Sequence, residues 1–170
     1  MQEDAMKTMP WPPLARDGSA LAHAYVDLLG WQLLINGVPV APEQAGCSRS
    51  GLVQIRCEGF DTITVPRALG SDVLLSLDRG TVRAPSLMVG RDAVTFLVQT
   101  DTGGCLAHLP DVLIEENGCH CLALPPSPGV RWDTPPWDVF ANSPTPLEYP
   151  DARALLTSFE TASRTRRGGP

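Results

Sequence analysis

An α+β domain, with helices packed on a largely antiparallel sheet of five to seven strands, is the fold this sequence predicts. Three observations carry the prediction. Proline (17) and glycine (15) are plentiful among 170 residues, which favours many turns over long helices. Short β-rich runs flank the turn signals Asn36-Gly37, Gly90-Arg91 and Asn117-Gly118. Three segments carry apolar residues at helical spacing, and a hydrophobic fraction of 43% is enough to build a core on them.

Residues 1–18 contain Trp11-Pro12-Pro13 without periodicity and read as an irregular arm. Ser19 caps a predicted helix to about Leu29, striped by Leu21, Ala24, Tyr25 and Leu28 and stopped by Gly30. Trp31–Ile35 reads as a strand returning through Asn36-Gly37 to Val38–Val40, and 41–51 is turn-rich. Leu52–Cys57 and Phe60–Val65 follow as strands. Pro66 suits the first turn of a helix carrying Leu69, Val73, Leu74 and Leu77 toward Gly80, with Gly70 an unfavourable interior residue. Ser86–Val89 and Ala93–Gln99 form a hairpin. Val112–Glu115 and Cys119–Leu124 form another across Asn117-Gly118, ended by Pro125-Pro126. The proline-rich stretch 127–149 reads as an extended surface connection. A last helix begins at Pro150-Asp151, with Ala152, Leu155, Leu156 and Phe159 inward. Residues 19–161 thus make one domain, and 162–170 an arginine-containing disordered tail.

Charge narrows the function. Lys and Arg number 13 against 19 Asp and Glu, a net charge of −6. Three of the thirteen basic residues lie in the last seven positions, so residues 1–163 carry ten basic against nineteen acidic groups, a net charge of −9. A domain that grips phosphate backbones is usually basic. No apolar run is long enough to span a bilayer and no basic-then-apolar leader opens the chain, so no membrane association is expected. Five cysteines, an odd number, favour free thiols and the cytoplasm.

Catalytic motifs are sparse. Neither a Gly-x-Ser-x-Gly elbow nor a phosphate-binding Gly-x-x-x-x-Gly-Lys loop occurs. Cys119-His120-Cys121 puts two thiols on one strand face and the imidazole on the other. With Cys105 and His108 from a neighbouring segment a metal site stays open, against the plainer reading of buried structural cysteines. Glu58 and Asp61 flank a glycine, and Glu115 and Glu116 alternate faces, so neither pair alone has the one-face geometry that two-metal chemistry needs.

The order of segments carries a resemblance. Gly59-Phe60-Asp61-Thr62-Ile63-Thr64-Val65-Pro66-Arg67-Ala68-Leu69-Gly70, the strand Ala93–Val98, the turn Asn117-Gly118 leading to Leu124-Pro125-Pro126-Ser127, and then Arg131-Trp132, Pro135-Pro136 and Pro150-Asp151-Ala152, occur in the order found in short actinobacterial-type members of the bifunctional DNA primase/polymerase N-terminal family. Gly30-Trp31 resembles that family's opening Gly-Trp-Pro. The resemblance covers roughly residues 20–160. It implies an archaeo-eukaryotic primase-like fold with an RRM-like sheet and, in active members, nucleotide joining by two divalent ions.

The match of catalytic residues is thin. Asp61 stands at the first acidic motif, but Thr64 replaces a second acid, and Gly90-Arg91-Asp92 stands where a Ser-x-His motif belongs. The third acid falls near Ile114, one residue from Glu115. Two expectations result. In the first, the chain is catalytically degenerate, needs no cofactor, and acts as an accessory or regulatory binder of a protein, DNA or a nucleotide. Trp132, Trp137, Phe140 and Tyr149 then offer a protein-binding surface, and Arg164, Arg166 and Arg167 a weak nucleic-acid contact. In the alternative it is an active DNA primase/polymerase using Mg or Mn. Asp61 and Glu115 hold the metal, Glu116 is a further catalytic acid and Arg91 contacts phosphate. Whether the chain is an enzyme stays open between the two, and an unrelated α+β domain is the third reading.

Overall fold

The computed structural model describes residues 17–47, 51–141 and 143–168. The predicted arm lies outside these residues up to position 16, as does the end of the predicted tail at 169–170. The described residues form two antiparallel sheets rather than one. Strands β1 (Leu34–Ile35), β2 (Val38–Pro39), β3 (Val53–Arg56) and β8 (Cys121–Ala123) make a four-stranded sheet in the order β2-β1-β3-β8. Strands β4 (Asp61–Pro66), β5 (Ser86–Val89), β6 (Ala93–Val98), β7 (Leu113–Glu115) and β9 (Val130–Thr134) make a five-stranded sheet in the order β7-β4-β6-β5-β9.

The helices are α1 (Gly18–His23), α2 (Pro42–Gly46), α3 (Arg67–Asp78) and α4 (Leu156–Arg167). Asp17, rather than Ser19, caps α1: its carboxylate accepts from the Ser19 and Ala20 N–H groups. The predicted long first helix changes pitch at Ala24, where a π-helical turn (Ala24–Leu28) takes over. That turn seats Tyr25 in the core. Its hydroxyl donates to the Pro125 carbonyl (3.0 Å) and accepts from Trp132 Nε1–H (2.8 Å). Burial pushes the Tyr25 phenol far up, with the Trp132 bond acting against the shift.

The five-stranded sheet is buried on both faces. Ile63, Val65, Val94, Phe96 and Val98 face α3 and α4, where Phe96 meets Phe159 edge-on at 5.3 Å. Leu87, Leu97 and Trp132 face the first sheet, in a core shared with Tyr25, Val53, Ile55 and Leu122. Two covered faces explain why Val94–Val98 is an unbroken apolar run except for Thr95.

Three expectations need correction. Residues 127–149 are more than a surface connection, because β9 pairs with β5 and both Trp132 and Trp137 are buried. Asn117-Gly118 does not close a hairpin: β7 pairs with β4 while β8 pairs with β3, so the turn carries the chain from one sheet to the other. The supposed tail continues α4 through Arg167, and Arg166 is tied to Asp72 (2.8 Å) and the Ala68 carbonyl (2.7 Å). The sequence shows no partner for Arg166 because Asp72 lies on another helix, whereas Arg164 reaches Glu160 one turn back on α4 (4.0 Å). Among the described residues no helix is long and apolar enough to cross a membrane.

Gly70 turns out to be required by packing. A Cβ there would lie 2.5 Å from Val94 Cβ, so α3 can approach β6 only because the position has no side chain. Gly70→Ala, which helix propensity alone would favour, should instead lower stability by about 1–3 kcal/mol. Urea denaturation measures this, and an unchanged or raised midpoint would contradict the packing account.

Candidate functional site

Asp61 opens β4, and the two-residue period puts it on the face of Ile63 and Val65, toward the helices. It is 2% exposed. Oδ2 accepts from the Asp101 N–H and Oδ1 from the Asn117 N–H, both at 2.8 Å. The turns that present these N–H groups follow β6 and β7. Asp101 sits at φ 61°, and Asn117 precedes Gly118 at φ 77°. Asn117 returns its side-chain oxygen to the Gly59 N–H at 2.8 Å. The carboxylate is thereby committed to joining three chain segments.

Glu115 lies elsewhere. It is opposite Thr62 in the β4–β7 register, and facing pairs share a side, so Glu115 and Asp61 are on opposite faces of the sheet. Glu116 is exposed in the turn after β7. Arg91 is in the β5–β6 turn, beyond the Pro66 end of β4, whereas Asp61 pairs with Val98 at the other end. The six-residue strand separates them by roughly 17 Å or more. Thus none of Asp61, Glu115 and Arg91 is brought to another, and this donor set does not fit a pair of divalent ions.

A different cluster forms where the two sheets meet. His120, just before β8, turns inward while Cys119 and Cys121 are exposed. Its Nε2 lies 2.9 Å from Thr62 Oγ1, 3.2 Å from Cys57 Sγ and 3.5 Å from Glu115 Oε2. Nδ1 is buried without a hydrogen-bond partner among the described residues. A thiol, an imidazole and a carboxylate resemble the parts of a nucleophilic triad, but the arrangement differs. A relay needs the acid on the imidazole nitrogen opposite the nucleophile, whereas here all three partners share Nε2. Cys57 is also completely buried. Burial first, then the nearby charges of Glu115 and Cys121, push its thiol up to about 12. The cluster therefore binds the sheets together with a protonated thiol. The sequence put His120 on the strand face opposite Cys119 and Cys121 but not which face turned inward. Contrary to the expectation of buried structural cysteines, these two thiols are exposed and the imidazole is the inward group. Its partners Cys57 and Thr62 are some sixty residues away and carry no local signal.

Cys105 packs on the helix side of the five-stranded sheet, and His108 meets Glu160 of α4 at 3.5 Å, so neither joins His120. Among the described residues no group of three or more His, Cys, Asp or Glu is placed to hold a metal ion. Beside the cluster an open cleft of about 660 Å³ is walled by Trp31 and Tyr149, with Gln32, Arg56 and Glu58 at its edge. Burial raises the Tyr149 phenol to about 12, opposed by a hydrogen bond with Trp31.

Asp61→Asn supplies only one acceptor oxygen for two buried N–H groups and should cost about 2–3 kcal/mol in urea denaturation; an unchanged midpoint would remove the clamp. In the native protein at about pH 8, iodoacetamide should modify Cys47, Cys119 and Cys121 and spare Cys57, as peptide mass spectrometry would report. The Cys57 thiol is raised from an ordinary 9.0 to about 12, so the unfolded chain loses that proton first. Stability from this group is therefore complete below pH 9 and declines as pH rises toward 12.

Comparison with protein-family models, with curated proteins and with solved structures returns no match.

Proposed function

We propose that this protein is a non-catalytic binding or regulatory module on a primase/polymerase-like sheet. The observation that carries the proposal is the state of Asp61. Both its oxygens are occupied by backbone N–H groups, and it faces away from Glu115. Phosphoryl transfer needs carboxylates converging on the metal ions, with cations on the phosphates. Here the converging positions on the other face of β4 and β6 carry Thr62, Thr64 and Thr95, with Thr64 and Thr95 hydroxyls bonded to each other at 2.9 Å.

The architectural half of the proposal draws on strand order. The sequence β4-α3-β5-β6-turn-β7 with spatial order β7-β4-β6-β5 supports the reading as an RRM-like sheet, in which the 3₁₀ turn at Gly103–Leu106 would stand for the second helix. The helix α4, arriving from the C-terminal end, packs beside α3 on the same face.

A primer-extension assay with Mg or Mn tests the loss of catalysis. The wild-type protein should add no nucleotide above a buffer control. Incorporation by wild type that disappears in Glu115→Gln while the thermal midpoint of the variant stays that of wild type would reinstate an active polymerase.

A further inference from the structure

At the β9 edge of the five-stranded sheet a cleft of about 690 Å³ opens between the C-terminal half of α3 and residues Pro135, Trp137, Val139, Phe140 and Leu147. Leu74, Leu77, Val82 and Trp137 contribute apolar lining. Val139 (38% exposed) and Phe140 (77% exposed) stand at its rim. Phe140 is held in this exposed position. Its N–H donates to Asp138 Oδ1 at 2.9 Å, Arg83 binds the same oxygen at 2.9 Å, and the Arg83 guanidinium lies 4.9 Å from the Phe140 ring centre. The segment itself is pinned by Asp138 N–H to the Thr145 carbonyl and Leu147 N–H to the Pro136 carbonyl. A large apolar ring fixed in water beside an apolar hollow is the arrangement of an interface anchor.

The charges around the cleft say what would cover it. Asp78 and Asp133 both line it, and neither forms a salt bridge among the described residues. Asp133 keeps an accessible edge, yet the protein packed around its carboxyl, and then the charge of Asp78, raise its pKa. A cation between them would relieve that repulsion. A second copy of this chain fits poorly, because a two-fold contact would bring a second Asp78 and Asp133 to the same rim.

We propose that this cleft docks a segment of a partner protein that inserts an apolar side chain beside Phe140 and sets a lysine or arginine on Asp78 and Asp133. The inference deepens the binding reading given above but needs neither the family resemblance nor the primer-extension outcome, since its test contains no nucleotide.

The probe is a synthetic amphipathic peptide of leucine and lysine, with its leucine–glutamate counterpart, titrated into the full-length ¹⁵N-labelled protein. The lysine peptide should shift the amides of Leu74, Val82, Val139 and Phe140, and the glutamate peptide should not. Phe140→Ala should weaken binding about tenfold with its thermal midpoint unchanged. Asp78→Asn with Asp133→Asn should weaken it and reduce its salt dependence. Equal binding by wild type and Phe140→Ala, shifts spread over the acidic surface, or no shifts with either peptide would overturn the proposal. So would sedimentation of wild type as a dimer that Phe140→Ala dissociates, which would make a second copy the occupant.

Discussion

A buried carboxylate must have its oxygens satisfied, and at Asp61 two backbone N–H groups from distant turns satisfy them. Each such charge-assisted bond is worth about 1.5–3 kcal/mol. Their placement matters more than their energy. One reaches the turn after β6 and the other the crossing from β7 to β8, so a single side chain fixes where the five-stranded sheet ends and where the chain leaves it for the other sheet. The same commitment keeps Asp61 on the helix side of the sheet, on the face opposite Glu115.

The His120 cluster completes the junction from the other side of β4. Thr62 and Asp61 are adjacent, so they point in opposite directions, one to His120 and the other to the turn amides. Cys57 meets His120 twice, through its thiol and through its N–H to the His120 carbonyl at 3.1 Å. The two sheets are thus bonded through side chains as well as through the apolar core around Tyr25.

Much of this was legible in the sequence. Elements whose signals are local agreed with the structure: β5, β6, the Asn36-Gly37 hairpin and the helix beginning behind Pro66. The coarse α+β class agreed as well. Failures occurred where a local signal competed with a distant partner. Asn117-Gly118 has hairpin chemistry, but its amides are taken by Asp61 and by the Cys57 carbonyl, which splays β7 from β8. Trp132 and Trp137 sit among prolines yet fill the core around Tyr25, at contacts more than a hundred residues apart in sequence. The candidate site behaved likewise. Asp61 was singled out as a chemically special residue, but the face it occupies depends on strand register, and a one-residue difference in register exchanges faces.

The arginines bonded or adjacent to the start of α3 are interleaved with acids. Arg67, Arg91, Arg131 and Arg166 lie at the end of the sheet where β4 finishes and β6 begins, with Asp92 and Asp72 beside them, while Asp78, Asp133, Asp61 and Asp101 lie toward the opposite end, with Arg79 and Arg83 among them. Each end therefore carries both signs, and a charged molecule meets a field that is local to single groups and shortens as salt is added.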